Sequence, residues 1–150
     1  MSRGQRLGTV VGVAAVLAVL PCAGAETLEV LVTSVRAQGR GPSDAQLVAL
    51  RPRLRRLVGY HSFRIVQEER RRCAWGSHET FSIPGGHVMH VTPKAMRDQL
   101  VVMQVKLLDG RRALVDTDVR LQNRGVMLFG VDQDAHADAG ALIIMLRAEE

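Results

Sequence analysis

The segment "QLVVMQVKLLDGRRALVDTDVRL" (residues 99–121) decides the fold, because two stretches of alternating apolar side chains flank one glycine-containing turn. The residues that share a face are Val101, Met103, Val105 and Leu107 in the first stretch, and Ala113, Val115, Thr117 and Val119 in the second. A two-residue loop would set the apolar face of one strand against the charged face of the other. We therefore predict an antiparallel hairpin with a three-residue loop, Val105 opposite Val115, and a positive φ at Gly110.

Further strands are predicted on both sides of this hairpin, where β-branched and apolar residues lie between glycine-rich or polar turns. They cover residues 27–35, 60–68, 78–84, 87–91, 126–131 and 141–148. Residues 27–35 are apolar on both faces, which indicates a strand buried on two sides or covered by a helix. The spacing predicts an α+β fold that is mainly β: an antiparallel β-sandwich or partly open barrel with one helix after the first strand.

The predicted helix rests on leucines at spacings of three, four and three, which place one apolar stripe on a helix. These leucines are Leu47, Leu50, Leu54 and Leu57. Ser43 or Asp44 is expected to cap the start of the helix. Pro52 is poorly compatible with a helix interior. We therefore expect a kink there, or a helix that stops near Leu50 and resumes as a short turn.

The first 25 residues have the three parts of a secretory signal peptide. A basic start, "MSRGQR", precedes an uncharged apolar run at residues 7–20, and "AGA" at residues 23–25 offers a cleavage site. The run is shorter than the ~20 residues that span a bilayer. We predict a signal peptide at 1–25, a single β-rich domain at 26–150, and a periplasmic or secreted location. Retention of the segment as a membrane anchor is the alternative; after cleavage no transmembrane span is expected.

The composition of the mature chain excludes several classes of protein. Loss of Arg3 and Arg6 lowers the basic count from 20 to 18 against 15 acidic residues, a net charge of only +3, so a nucleic-acid partner is not expected. Cys22 leaves with the signal peptide, so Cys73 has no internal disulfide partner. No nucleotide-binding loop, nucleophile elbow or zinc-ligand motif occurs, and no cofactor is expected.

The segment "EERRRCAWGSHE" (residues 68–79) supports two different hypotheses. Arg70, Arg71 and Arg72, together with Trp75, are candidates for a patch that contacts anionic groups or a partner. Alternatively, Cys73 and His78 could serve a small thiol/histidine hydrolase, with the arginines activating the thiol.

Two further groups contain residue types that can ligate metal ions, but only the first is a candidate site. Asp132, Asp134 and Asp138 lie in an acidic loop at 132–138 that offers oxygen ligands to Ca²⁺ but lacks the EF-hand pattern. His87 and His90 follow the turn "IPGGH". If Gly85-Gly86 is a two-residue loop, Phe81 faces His90, and the two histidines point to opposite faces of the strand, so they cannot share one metal ion.

The exported first strand, the leucine-rich segment leading to "YHSF", the "IPGGH" turn and the closing "GALIIML" resemble small exported proteins of Gram-negative bacteria that have no assigned activity. These motifs are structural, so the resemblance implies no functional residue. Because no catalytic constellation is evident, we expect a non-enzymatic interaction or structural module of the cell envelope with a protein partner. Exposed sheet edges could pair with a strand of that partner.

Overall fold

The computed structural model describes residues 27–131 and 140–150, and its described part is an antiparallel β-sandwich. The predicted signal peptide and the aspartates of the 132–138 loop lie outside the described residues. The elements in chain order are β1 (Thr27–Gln38), a 3₁₀ helix (Ala45–Leu50), α1 (Arg51–Val58), β2 (Ser62–Ala74), β3 (Glu79–Ile83), β4 (His87–Arg97), β5 (Leu100–Asp109), β6 (Arg112–Gln122), β7 (Val126–Val131) and β8 (Ala141–Glu149).

Two four-stranded sheets form, with strand orders β2-β1-β8-β7 (sheet A) and β3-β4-β5-β6 (sheet B). All neighbouring strands are antiparallel. The prediction of a mainly β sandwich with one helix after the first strand is therefore confirmed, and neither described sheet closes into a barrel. No helix in the described ranges has the length and apolar character needed to cross a membrane.

The main core lies between the two sheets and is built by the period-two alternation of the strands. Leu28 and Val30 of β1 meet Phe81 of β3 and Met103 of β5 there, and all four side chains are fully buried. Burial of each large apolar side chain contributes about 1.5–3 kcal/mol relative to an exposed position. Apolar burial of this kind stabilises the fold, and Cys73, which lies in this core, is a free thiol.

A second core lies on the opposite face of sheet A, beneath the helical segment. Leu47 and Leu54 pack with Val35, Phe63 and Ile143 in this cluster. Strand β1 therefore buries side chains on both faces. This finding confirms the expectation that residues 27–35 form a strand covered on two sides.

The helical segment divides where the sequence predicts an interruption. The 3₁₀ helix ends at Leu50, and Pro52 occupies the first turn of α1, where its missing N–H costs no helical hydrogen bond. The expected cap is wrong, because neither Ser43 nor Asp44 makes a side-chain cap to the helix. These side chains instead accept hydrogen bonds from strand β2: Phe63 N to Ser43 Oγ (3.1 Å) and Ile65 N to Asp44 Oδ2 (2.6 Å).

In the β5–β6 hairpin the apolar faces of the two strands match, but the loop and register that achieve this differ from the predicted ones. Asp109 pairs with Arg112, so the loop has two residues, and Gly110 has the predicted positive φ of 59°. A bulge at Leu114 then shifts the register by one residue. Val105 consequently lies opposite Thr117, so the predicted three-residue loop and the predicted pairing with Val115 are wrong.

Candidate functional site

The β3–β4 hairpin has a three-residue turn, which changes the predicted environment of His90. Ile83 pairs with His87, and Phe81 therefore faces Met89. His90 lies opposite Thr80, so the predicted pairing of Phe81 with His90 is wrong. Because side chains alternate along β4, His87 and His90 still point to opposite faces, as predicted.

This register brings His78 against His90 on the outer face of sheet B, and we call these two residues the histidine pair. His78 Nε2 lies 3.0 Å from His90 Nδ1, and the ring centroids are 4.6 Å apart. Thr92 Oγ1 is 3.2 Å from His78 Nδ1, and Thr80 Oγ1 is 3.0 Å from His90 Nδ1. Partial burial, followed by the charges of His78 and Lys106, lowers the pKa of His90.

The sequence contained the signal for this pair, but the assumed loop length concealed it. A two-residue loop sets Phe81 opposite His90 and gives His78 no place beside it. The three-residue turn puts Thr80 opposite His90, so that His78, two residues before Thr80, emerges on the same face. A loop of three residues therefore brings the two histidines into contact, whereas a loop of two residues would keep them apart.

The arginines that the sequence grouped with Trp75 are divided between the two faces of sheet A. Arg70 lies on the outer face and pairs with Glu29 at 3.2 Å. Arg71 points towards sheet B, where it contacts Glu69 and lies over the ring of Phe81, with its guanidinium carbon 5.0 Å from the ring centroid.

The remaining members of that group also lie apart from one another. Arg72 is exposed near Glu29 and Glu149, whereas Trp75 is half-buried and packs against the main core. Each of the three arginines therefore lies near a glutamate, and the four candidate residues do not form one surface.

The exposed side chains of the helical segment carry a more uniform positive charge. We call this part of the protein the basic helical surface; it comprises Val48, Arg51, Arg53, Arg55, Arg56 and Leu57. Residues 45–67 contain five arginines and no aspartate or glutamate. No salt bridge among the described residues involves an arginine of α1. Val48 and Leu57 are 63% and 44% exposed, which is unusual for large apolar side chains in this structure.

A groove of about 270 Å³ lies beside this surface, between the helical segment and the outer face of sheet A. Leu47 and Leu50 form one wall, and Leu31 and Met145 lie on the sheet side. The volume is slightly below the roughly 300–1,000 Å³ of typical small-molecule sites.

Cys73 lies in the main core, which bears directly on the thiol hypothesis. Its side chain is fully buried, and burial, followed by the charge of Glu79, raises the pKa of the thiol to about 11 although Arg71 acts in the opposite direction. His78 contacts Thr92 and His90. This geometry provides no thiolate nucleophile and no base directed at it, and so gives the hydrolase hypothesis no support.

We expect the Cys73 thiol to resist an aromatic disulfide reagent in the native protein at pH 8, and to react fully once the chain is unfolded in guanidinium. The pKa of about 11 keeps the thiol protonated at pH 8, and burial blocks access to it. Release of the coloured thiolate from a Cys22→Ser chain, followed with and without denaturant, measures the difference for Cys73 alone. Rapid reaction of the native thiol would revive the hydrolase hypothesis.

Comparisons of the chain with protein-family profiles, with curated proteins and with solved structures found no match. Within the described residues, no group of three or more histidine, cysteine, aspartate or glutamate side chains is arranged to hold a metal ion. The function must therefore be argued from the two surface features above, the basic helical surface and the histidine pair.

Proposed function

We propose that this protein is an exported, non-enzymatic interaction module of the cell envelope, and that its basic helical surface binds an acidic surface of a partner protein. The export signal expected at residues 1–25 supports the location. The observation that carries the proposal is the concentration of Arg51, Arg53, Arg55 and Arg56 around the exposed Val48 and Leu57, without a salt bridge to any residue of the ranges 27–131 and 140–150.

Several of these arginines are held in place by hydrogen bonds within the protein. Arg51 donates to Ser43 Oγ (3.1 Å), Arg53 donates to the carbonyl of Val126 (3.2 Å), and Arg55 contacts His61 Nδ1 at 2.6 Å. Guanidinium groups that are already oriented lose less freedom when they meet carboxylates. Exposed apolar side chains among charged ones also match the usual anatomy of a protein interface, with an apolar centre and a polar rim.

The same surface is less suited to a lipid bilayer. A helix that lies in a membrane interface inserts a broad apolar face among the acyl chains. In this protein the apolar stripe of the helical segment, including Leu47 and Leu54, is already buried against sheet A. Only Val48 and Leu57 remain exposed, which is too little apolar surface for insertion but enough for the centre of a small protein contact.

The double substitution Arg55→Glu/Arg56→Glu is expected to weaken partner binding by about tenfold or more, because charge complementarity governs association at such surfaces. A photo-cross-linking residue in place of Val48 would first capture and identify the partner in intact cells. The affinity of the purified partner would then be measured for the wild-type chain and the variant.

Arg111→Glu/Arg112→Glu is the matched control, since it makes the same charge change at two exposed arginines around the β5–β6 turn. We expect this control to bind like the wild type. Equal weakening by both variants would show a non-specific charge effect and contradict the proposal. Binding of the wild type, but not the helix variant, to phosphatidylglycerol vesicles without any captured protein would replace the protein partner with a membrane surface.

A further inference from the structure

We propose that the histidine pair, His78 and His90, binds a divalent transition-metal ion of the class that prefers imidazole nitrogen, such as Zn²⁺ or Cu²⁺. His90 lies within β4 and His78 immediately precedes the first residue of β3, so the β3–β4 register brings the two side chains to the same face of sheet B. Neutral imidazole is a common ligand for these ions. The inference does not depend on the proposed function, because the pair lies on the other sheet from the helical segment.

The spacing of the two nitrogens agrees with that of two ligands on one ion. With metal–nitrogen bonds of 2.0–2.1 Å, adjacent ligand nitrogens lie about 2.9 Å apart in square-planar geometry and about 3.4 Å apart in tetrahedral geometry. His78 Nε2 and His90 Nδ1 are separated by 3.0 Å, within this interval. An ion could therefore be bound with only small rotations of the two rings.

The orientation of the rings is also that of a chelating pair. The nitrogens are 3.0 Å apart while the ring centroids are 4.6 Å apart, so the rings converge at these nitrogens without lying end to end. Thr92 Oγ1 lies 3.2 Å from the remote nitrogen of His78 and can accept its proton. Such an outer contact fixes the ring and leaves Nε2 free to ligate, as in known histidine–metal sites.

Two features of the surroundings set the expected strength. The described residues offer no third histidine, cysteine or carboxylate ligand, so water must complete the coordination and the affinity should be moderate. Lys106 lies opposite His90 on β5, and its charge acts on this ring. A neighbouring ammonium group repels a bound cation, and so removal of its charge should strengthen binding.

The test is a calorimetric titration of the purified full-length chain, prepared without a histidine tag, with Zn²⁺ and separately with Cu²⁺. We expect an ion site in the wild type that is lost in His78→Asn and in His90→Asn. His87→Asn is the matched control, since this ring points to the other face and contacts the carbonyl of Pro84, and it should retain the site. Thr92→Val should weaken binding about tenfold, and Lys106→Gln should tighten it.

Binding that persists unchanged in both His78→Asn and His90→Asn, or no binding by the wild type, would overturn the proposal. A second measurement on the wild type removes any dependence on the folding of the variants. Addition of Zn²⁺ should shift the imidazole NMR signals of His78 and His90 together, with little effect on those of His61 and His87. Shifts confined to other histidines would place the ion elsewhere and likewise overturn it.

Discussion

Phe63→Ala is expected to lower the free energy of unfolding by about 3–5 kcal/mol, the usual cost of removing a fully buried phenylalanine. Phe63 is completely buried beneath the helical segment, in the cluster that contains Leu47 and Leu54. Its loss leaves a cavity between β2 and that segment. Since small domains have a total stability of about 5–15 kcal/mol, this one change would remove a large part of it.

Equilibrium urea unfolding, followed by circular dichroism, would measure the effect of this substitution. Val66→Ala on the same strand is the matched control, because Val66 is 44% exposed and its truncation should change stability by less than about 0.5 kcal/mol. We also expect Phe63→Ala to weaken partner binding by disturbing the base of the basic helical surface. Equal stability of the two variants would show that the helical segment does not pack on sheet A.

The strands could be identified from the sequence because each one either alternates apolar and polar residues or, like β1, β7 and β8, contains a short apolar run bounded by turn residues. The eight predicted strands correspond to the eight strands of the described ranges, although β2 extends to Ala74 and β4 to Arg97, beyond their predicted ends. These extensions carry charged or irregular residues, including Arg70, Arg71 and Pro93, whose place in a strand depends on pairing with β1 or β5. Such pairing is a tertiary interaction that no single segment encodes.

The registers of the hairpins were harder to predict, for a related reason. The sequence correctly required apolar faces to match in the β5–β6 hairpin, but either an odd loop or a bulge satisfies this requirement. The protein uses a two-residue loop and a bulge at Leu114. In the β3–β4 hairpin the choice between two and three loop residues decided whether His78 and His90 met, and the glycines permit both.

The candidate site depended still more on the tertiary structure. Arg71 is drawn into a contact with Phe81 of the opposite sheet, and Arg70 pairs with Glu29 across β1 and β2. Neither partner is adjacent in sequence, so the run of three arginines looked more uniform than it is. The helix arginines, in contrast, lie in a stretch without acidic residues, and their local sequence already contained the signal for a basic surface.

The sandwich separates the two proposed sites. The helical segment packs on the outer face of sheet A, whereas the histidine pair lies on the outer face of sheet B. Both outer faces are therefore available at once, with the shared core between them. A metal ion on the histidine pair and a partner on the basic helical surface need not compete, so substitutions at one site should leave binding at the other unchanged.

Gly140→Ala is expected to destabilise the protein by about 2–5 kcal/mol, because it combines an unfavourable backbone conformation with a direct overlap. Gly140 has a φ of +72°, and a Cβ atom there would lie 2.0 Å from the carbonyl oxygen of Ala37. Ala37 belongs to the central strand β1 and pairs with Ala141, the first residue of β8. An added methyl group must push the start of β8 away from β1, which opens the second core at Ile143.

Alanine substitutions at two other glycines distinguish the destabilisation caused by the backbone conformation from that caused by the steric overlap. Gly86 has a φ of +80° but no atom within 4 Å of an added Cβ, so Gly86→Ala should cost only the roughly 1–2 kcal/mol of a left-handed conformation. Gly39 has neither constraint, and Gly39→Ala should be neutral or slightly stabilising. Thermal and urea unfolding of the three variants should therefore rank Gly140→Ala as the least stable. If it were no less stable than Gly86→Ala, the close approach of Gly140 to β1, and with it the junction of the two central strands of sheet A, would be wrong.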